Sequence, residues 1–174
     1  MSEEFMKRQN FLKIIAIAVI LISIQLGVST PALALLREHH QSPGVLRYHA
    51  QHSLQDKEQR AWQIILFPED INSTTTRYSL RLVGFPDLVE VVHPQPLEII
   101  TSQGQTFTAP DVFPTATPAI NVGQYELTDL IPLLPPKGSL TLVLSTIDSE
   151  QKNKDVSLKI VPSILSEWRI LTQR

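Results

Sequence analysis

Apolar positions along this chain follow two different periods. Between Val45 and Ile160 they mostly alternate with polar ones, and only after Pro162 do they recur at helical spacing. Alternation puts neighbouring side chains on opposite faces of a strand, whereas a spacing of three to four gathers them on one face of a helix. Val45–Leu54 sets Leu46, Tyr48 and Ala50 against Val45, Arg47 and His49. Ala61–Phe67 is apolar on both faces and reads as a central strand, ended by Pro68. Arg77–Phe85 turns Tyr78, Leu80 and Leu82 inward and Arg77, Ser79 and Arg81 outward. Val89–His93 is a short strand stopped by Pro94 and Pro96. Leu97–Thr101 and Thr106–Ala109 flank a four-residue link containing Gly104, which predicts a hairpin.

Pro110–Ile120 breaks the pattern. Prolines at 110, 114 and 118 cannot join a central ladder, so this segment is expected as an extended loop before a returning strand at Asn121–Leu127. Asp129–Pro136 crowds leucine, isoleucine and proline together without a period. Ser139–Ser145 and Asp155–Ile160 alternate again around a charged tip at Asp148–Lys154. The end of the chain is the one expected helix: Pro162 suits a first turn, and Ile164, Leu165, Trp168 and Leu171 share a face. The expected fold is mainly β, an antiparallel β-sandwich or partly open barrel with one C-terminal helix.

A third pattern precedes these. Lys7, Arg8 and Lys13 lead into an unbroken apolar run, Ile14–Ile22, followed by Ala32-Leu33-Ala34. A basic stretch, an apolar stretch and small residues at Ala32 and Ala34 form a secretory signal. The stretch is short of the ~20 apolar residues a spanning helix needs. Cleavage is expected after Ala34, which makes residues 1–34 an address and residues 35–174 a single β-rich domain. Export to a periplasm or a thylakoid lumen is the expected destination, with membrane attachment only if the signal stays uncut.

Composition narrows the chemistry. The 174 residues include no cysteine, so disulfides, thiolate metal sites and cysteine nucleophiles are excluded. The formal net charge of -2 lacks the positive field that nucleic-acid binding needs. No serine sits in a G-x-S-x-G turn, and no glycine-rich phosphate loop is present. The least poor catalytic grouping is Arg81, Asp87 and His93, around one turn. His39, His40, His49 and His52 are the candidate metal ligands, but His49 and His52 fall on opposite faces of a strand. No catalytic, cofactor or metal residue is therefore assigned, and no cofactor is expected. Two apolar stretches in irregular segments, Val112-Phe113 and Leu130-Ile131 with Leu133-Leu134, are the candidate surface for a protein partner at a membrane.

Arg81-Leu82-Val83-Gly84-Phe85-Pro86, His93-Pro94-Gln95-Pro96-Leu97 and Asn121-Val122-Gly123-Gln124-Tyr125 together resemble an uncharacterised family of exported cyanobacterial proteins, catalogued as a domain of unknown function. The resemblance spans Pro43 to Leu171. It implies a cyanobacterial source and delivery across a membrane, and it brings no activity with it. It also implies that Gly84, Pro86, Pro94 and Gly123 shape backbone. The expectation is a non-enzymatic binding or assembly protein. The alternatives are an enzyme whose site assembles from distant residues, or a histidine-based metal handler.

Overall fold

The computed structural model describes residues 37–42, 45–69, 76–113 and 119–173, with side chains from Tyr48 onward. All belong to one compact unit, Ala34–Arg174. The segment expected as a signal, with Ala32 and Ala34, lies outside the described residues, as do Pro114 and Pro118.

The described strands are β1 (Arg37–Ser42), β2 (Val45–Gln55), β3 (Ala61–Pro68), β4 (Tyr78–Val83), β5 (Val89–Val91), β6 (Leu97–Thr101), β7 (Thr106–Ala109), β8 (Val122–Glu126), β9 (Leu140–Asp148) and β10 (Asn153–Ile160). A 3-10 turn covers Ile131–Leu133, and the helix α1 covers Pro162–Thr172. They form two antiparallel sheets, one ordered β1-β2-β3-β4-β8 and the other β10-β9-β6-β7, with β5 also paired to β9. This is the expected sandwich, and no barrel closes.

Alternation builds the layers. On β9 and β10, Leu140, Leu142 and Leu144 lie opposite Ile160, Leu158 and Val156, and all six are buried. Each such side chain contributes about 1.5–3 kcal/mol by leaving water. Asp148 closes the intervening tip by accepting N–H bonds from Lys152 and Glu150, at 3.0 and 2.9 Å. The Lys152 bond is the main reason its carboxyl is held below the ordinary value. The facing sheet contributes Trp62, Ile64 and Leu66 from β3, Leu80 and Leu82 from β4, and Tyr125 from β8.

Two details depart from the sequence pattern. β1 has a polar sequence, Arg-Glu-His-His-Gln-Ser, with no apolar alternation; it forms because its backbone pairs with β2, placing His39 opposite Arg47 and His40 opposite Leu46. Ser79, expected to face outward, is buried between its cross-strand neighbours Phe67 and Glu126.

Helix α1 starts at Pro162 without a side-chain cap and buries Ile164, Leu165, Trp168 and Leu171, as the spacing predicts. Gly84 shows why the turn after β4 needs a residue without a side chain. A Cβ there would collide with Val89 Cγ2 and stand 3.0 Å from Trp62 Cη2. Overpacking of this kind costs about 1–3 kcal/mol. Gly84→Ala is therefore expected to lower the denaturation midpoint by a corresponding amount, whereas Gly104→Ala, whose Cβ would meet nothing within 4 Å, pays only for its left-handed backbone. An equal response of the two variants to denaturant would contradict this packing argument.

Candidate binding cleft

A concavity forms where the leucine-proline segment meets the end of α1. It has a volume of about 500 Å³ and is walled by Ile131, Pro132, Leu134, Pro136 and Tyr78, with Arg169 and Thr172 on the helix side. The 3-10 turn places it: Ile131 and Leu134 donate backbone N–H bonds to Leu127 O and Leu130 O, at 3.0 and 3.1 Å. This curls the segment so that Leu130, Ile131 and Leu134 pack on the core. Arg169 fastens the helix to the segment by donating from Nη2 to Leu134 O at 3.0 Å and to Pro135 O. Burial pushes the Tyr78 hydroxyl above its ordinary pKa, so it stays a neutral donor, 3.5 Å from Thr172 O. An apolar cleft with a few convergent polar groups suits binding. It holds no nucleophile paired with a base.

Of the six apolar residues proposed as a partner surface, the structure leaves one open. Leu133 is 57% exposed, whereas Leu134 is buried and Leu130 and Ile131 are half-buried. Val112 and Phe113 are half-buried as well. The Val112 N–H donates to Gln124 O at 2.8 Å, and the Phe113 N–H to Asp111 Oδ1 at 2.8 Å.

Arg81, Asp87 and His93 do not assemble, and that grouping is corrected. Arg81 donates from Nε and Nη2 to Gln124 Oε1, at 2.9 and 2.6 Å, and its guanidinium lies 5.1 Å above the Phe67 ring. Asp87 is exposed in a turn at φ 64°. His93 turns to Asp111: Nδ1 is 2.6 Å from Asp111 Oδ2, and Nε2 is 3.2 Å from Val122 O. With both ring nitrogens engaged, neither is left for substrate or metal. The Phe113 ring meets this imidazole edge-on, 6.4 Å between centroids. The Asp111 charge adds to burial in raising the Tyr125 pKa. Asp111, 18 residues from His93 and beyond a hairpin, has no local signal that would have linked the two.

His52 also has a partner that the sequence analysis missed. It shares the inward face of β2 with Ala50 and Leu54, and its Nε2 lies 2.7 Å from Glu167 Oε2 on α1. Glu167 is 2% exposed, its Oε1 has no partner, and the neighbouring Trp168 Nε1 is also unpaired. The signal existed: Glu167 stands three after Ile164 and four before Leu171, on the apolar stripe. Among the described residues, no three histidine or acidic side chains converge as a metal site.

A family described as "Protein of unknown function (DUF3122)" matches residues 34–171. The chain belongs to this family. Membership in DUF3122 agrees with the resemblance carried by the Gly84, Pro94 and Gly123 segments, and it assigns no activity. No curated protein matches this DUF3122 member. Among solved structures it is similar to the crystal structure of invasion associated protein b from Bartonella henselae, at 11% identity and a TM-score of 0.44, covering 79% of this chain and 93% of that one.

Proposed function

We propose that this DUF3122 domain is an exported, non-catalytic binding protein of the periplasm or thylakoid lumen, which docks on a protein partner at a membrane surface. The observation that carries the reading is the cleft between the 3-10 turn and α1. Leu133, between the lining residues Pro132 and Leu134, is 57% exposed, and Ile170, next to the lining residue Arg169, is 51% exposed. The basic-apolar-small order of residues 1–34 supports export. Among the described residues, no helix is long and apolar enough to cross a membrane.

The test is native co-purification of the full chain under gentle solubilisation, beside Leu133→Asp and Ile170→Asp. Both positions are exposed, so stability is expected to stay within about 0.5 kcal/mol, while partner recovery falls at least severalfold. Recovery of the unaltered chain only as a free monomer would overturn the proposal. So would partner recovery indifferent to both substitutions.

A further inference from the structure

A second apolar surface stands independently of the cleft. Six large apolar side chains are exposed among the described residues, and three of them, Phe85, Leu88 and Ile120, sit on two turns linked by hydrogen bonds, at 58, 42 and 59% exposure; Leu88 and Ile120 line one dimple. Hydrogen bonds, backbone to backbone and from the Asn121 side chain, hold the two turns that carry them in register. Gly84 N–H donates to Asn121 O at 2.9 Å, Asn121 Nδ2 donates to Gly84 O at 2.8 Å, and Val91 N–H donates to Ile120 O at 2.7 Å. Leu88 N–H closes its own turn on Phe85 O at 3.3 Å. The apolar groups are thus presented in a fixed arrangement, which lowers the ordering cost of docking.

Between Leu88, Ile120 and Ile147 lies a dimple of about 80 Å³, small enough for a single aliphatic side chain. Its lining holds three acidic residues, Asp87, Glu90 and Asp148, beside Ser149 and Gln151, and no basic one; Asp148 is already engaged at the hairpin tip, so Asp87 and Glu90 are the acids available to a partner. The nearby Lys152 is engaged with Glu150 at 2.6 Å. Charge complementarity selects the occupant. An anionic bilayer surface would be repelled by this rim. A second copy docked through the same patch would set Asp87 and Glu90 against their own equivalents across a two-fold axis. A cationic segment is attracted, and an apolar side chain anchors it.

We propose that the Phe85–Leu88–Ile120 surface is a docking site for a protein segment that presents one branched aliphatic side chain flanked by lysine or arginine. The aliphatic group enters the dimple, and the cationic groups meet Asp87 and Glu90.

The test is photo-crosslinking in cells with the full chain, using a photoreactive residue in turn at Phe85, Leu88 and Ile120, and at Ser157 on β10 as a control. Expected are adducts from these three positions to a segment of another protein. Its sequenced peptide should carry an aliphatic residue within a few positions of lysine or arginine. Asp87→Asn with Glu90→Gln, which keeps the left-handed turn acceptable at position 87 and leaves the apolar groups in place, is expected to reduce the yield about fivefold by removing the steering charge. Adducts to lipid, to another copy of this chain or to an acidic segment would overturn the proposal. It also fails if no adduct forms beyond the Ser157 background, or if the yield ignores the two neutralised carboxylates. Partner loss in Leu133→Asp reports on the cleft alone, so the two readings fail separately.

Discussion

Replacing His52 with leucine is expected to cost about 1–3 kcal/mol, although histidine is not a core residue by habit. The reason is what remains behind. Glu167 is buried on the inner side of α1 with His52 Nε2 2.7 Å from its Oε2, a close polar contact not aligned as a hydrogen bond. Replacing the imidazole with an alkyl group sets apolar atoms against the buried carboxyl and removes its close polar neighbour. The second half of the argument is the double variant. His52→Leu with Glu167→Leu removes the stranded group as well, and swapping a buried polar pair for packed apolar groups is commonly neutral or stabilising. Denaturant midpoints for both singles and the double close a thermodynamic cycle. A double variant as weak as either single would show that the pair contributes packing rather than a mutual polar contact. A His52→Leu loss below about 1 kcal/mol would remove the basis of the argument.

Asp56→Asn is expected to be the other severe substitution, at about 2–4 kcal/mol. Asp56 organises the turn between β2 and β3. Oδ1 accepts the N–H groups of Glu58 and Arg60, at 2.9 and 3.0 Å, and Oδ2 accepts Arg60 Nε at 2.7 Å and Trp62 Nε1 at 3.1 Å. Four donors converge on two oxygens, and asparagine would turn its own N–H₂ group toward two of them. Burial alone would raise this carboxyl, but the Arg60 side chain, the Arg60 and Glu58 N–H groups and the Trp62 indole outweigh it and hold it below the ordinary 3.8. A carboxyl lowered by folding contributes stability that is fully present above the unfolded value and is lost as pH falls through the folded one. Acid titration of stability should therefore show a component below about pH 4 that disappears in Asp56→Asn. An unchanged acid limb would count against the turn as its source.

These residues also show how far the sequence could be read. The sandwich was legible because Leu140, Leu142 and Leu144 alternate against Val156, Leu158 and Ile160, and the helix because Ile164, Trp168 and Leu171 share a stripe behind Pro162. Such patterns are local, and burial enforces them. β1 was not legible, since Arg37–Ser42 pairs through backbone groups that every residue carries. The polar pairs were hidden for a different reason. His93 finds Asp111 across the β6–β7 hairpin, and His52 finds Glu167 from the far end of the chain; distance in sequence erases both pairings, although the place of Glu167 on the apolar stripe was visible. The apolar segments chosen as a partner surface show the opposite error. Leucines in an irregular stretch look available, but the 3-10 turn folds Leu134 into the core and leaves Leu133 outside.

The pairing of β9 has a consequence for how the sandwich comes apart. One edge of β9 runs beside β10 from Leu140 to Ile147, but the other edge changes neighbour midway, with Leu140–Val143 against β6 and Thr146–Asp148 against β5. The sheet thus carries a seam at Leu144–Ser145. Beyond it, the three residues of β5 carry Val89 and Val91 into the core, so releasing them would spare the backbone bonds of the β6–β9 ladder but uncover two buried valines, which ties the short strand to global rather than local opening.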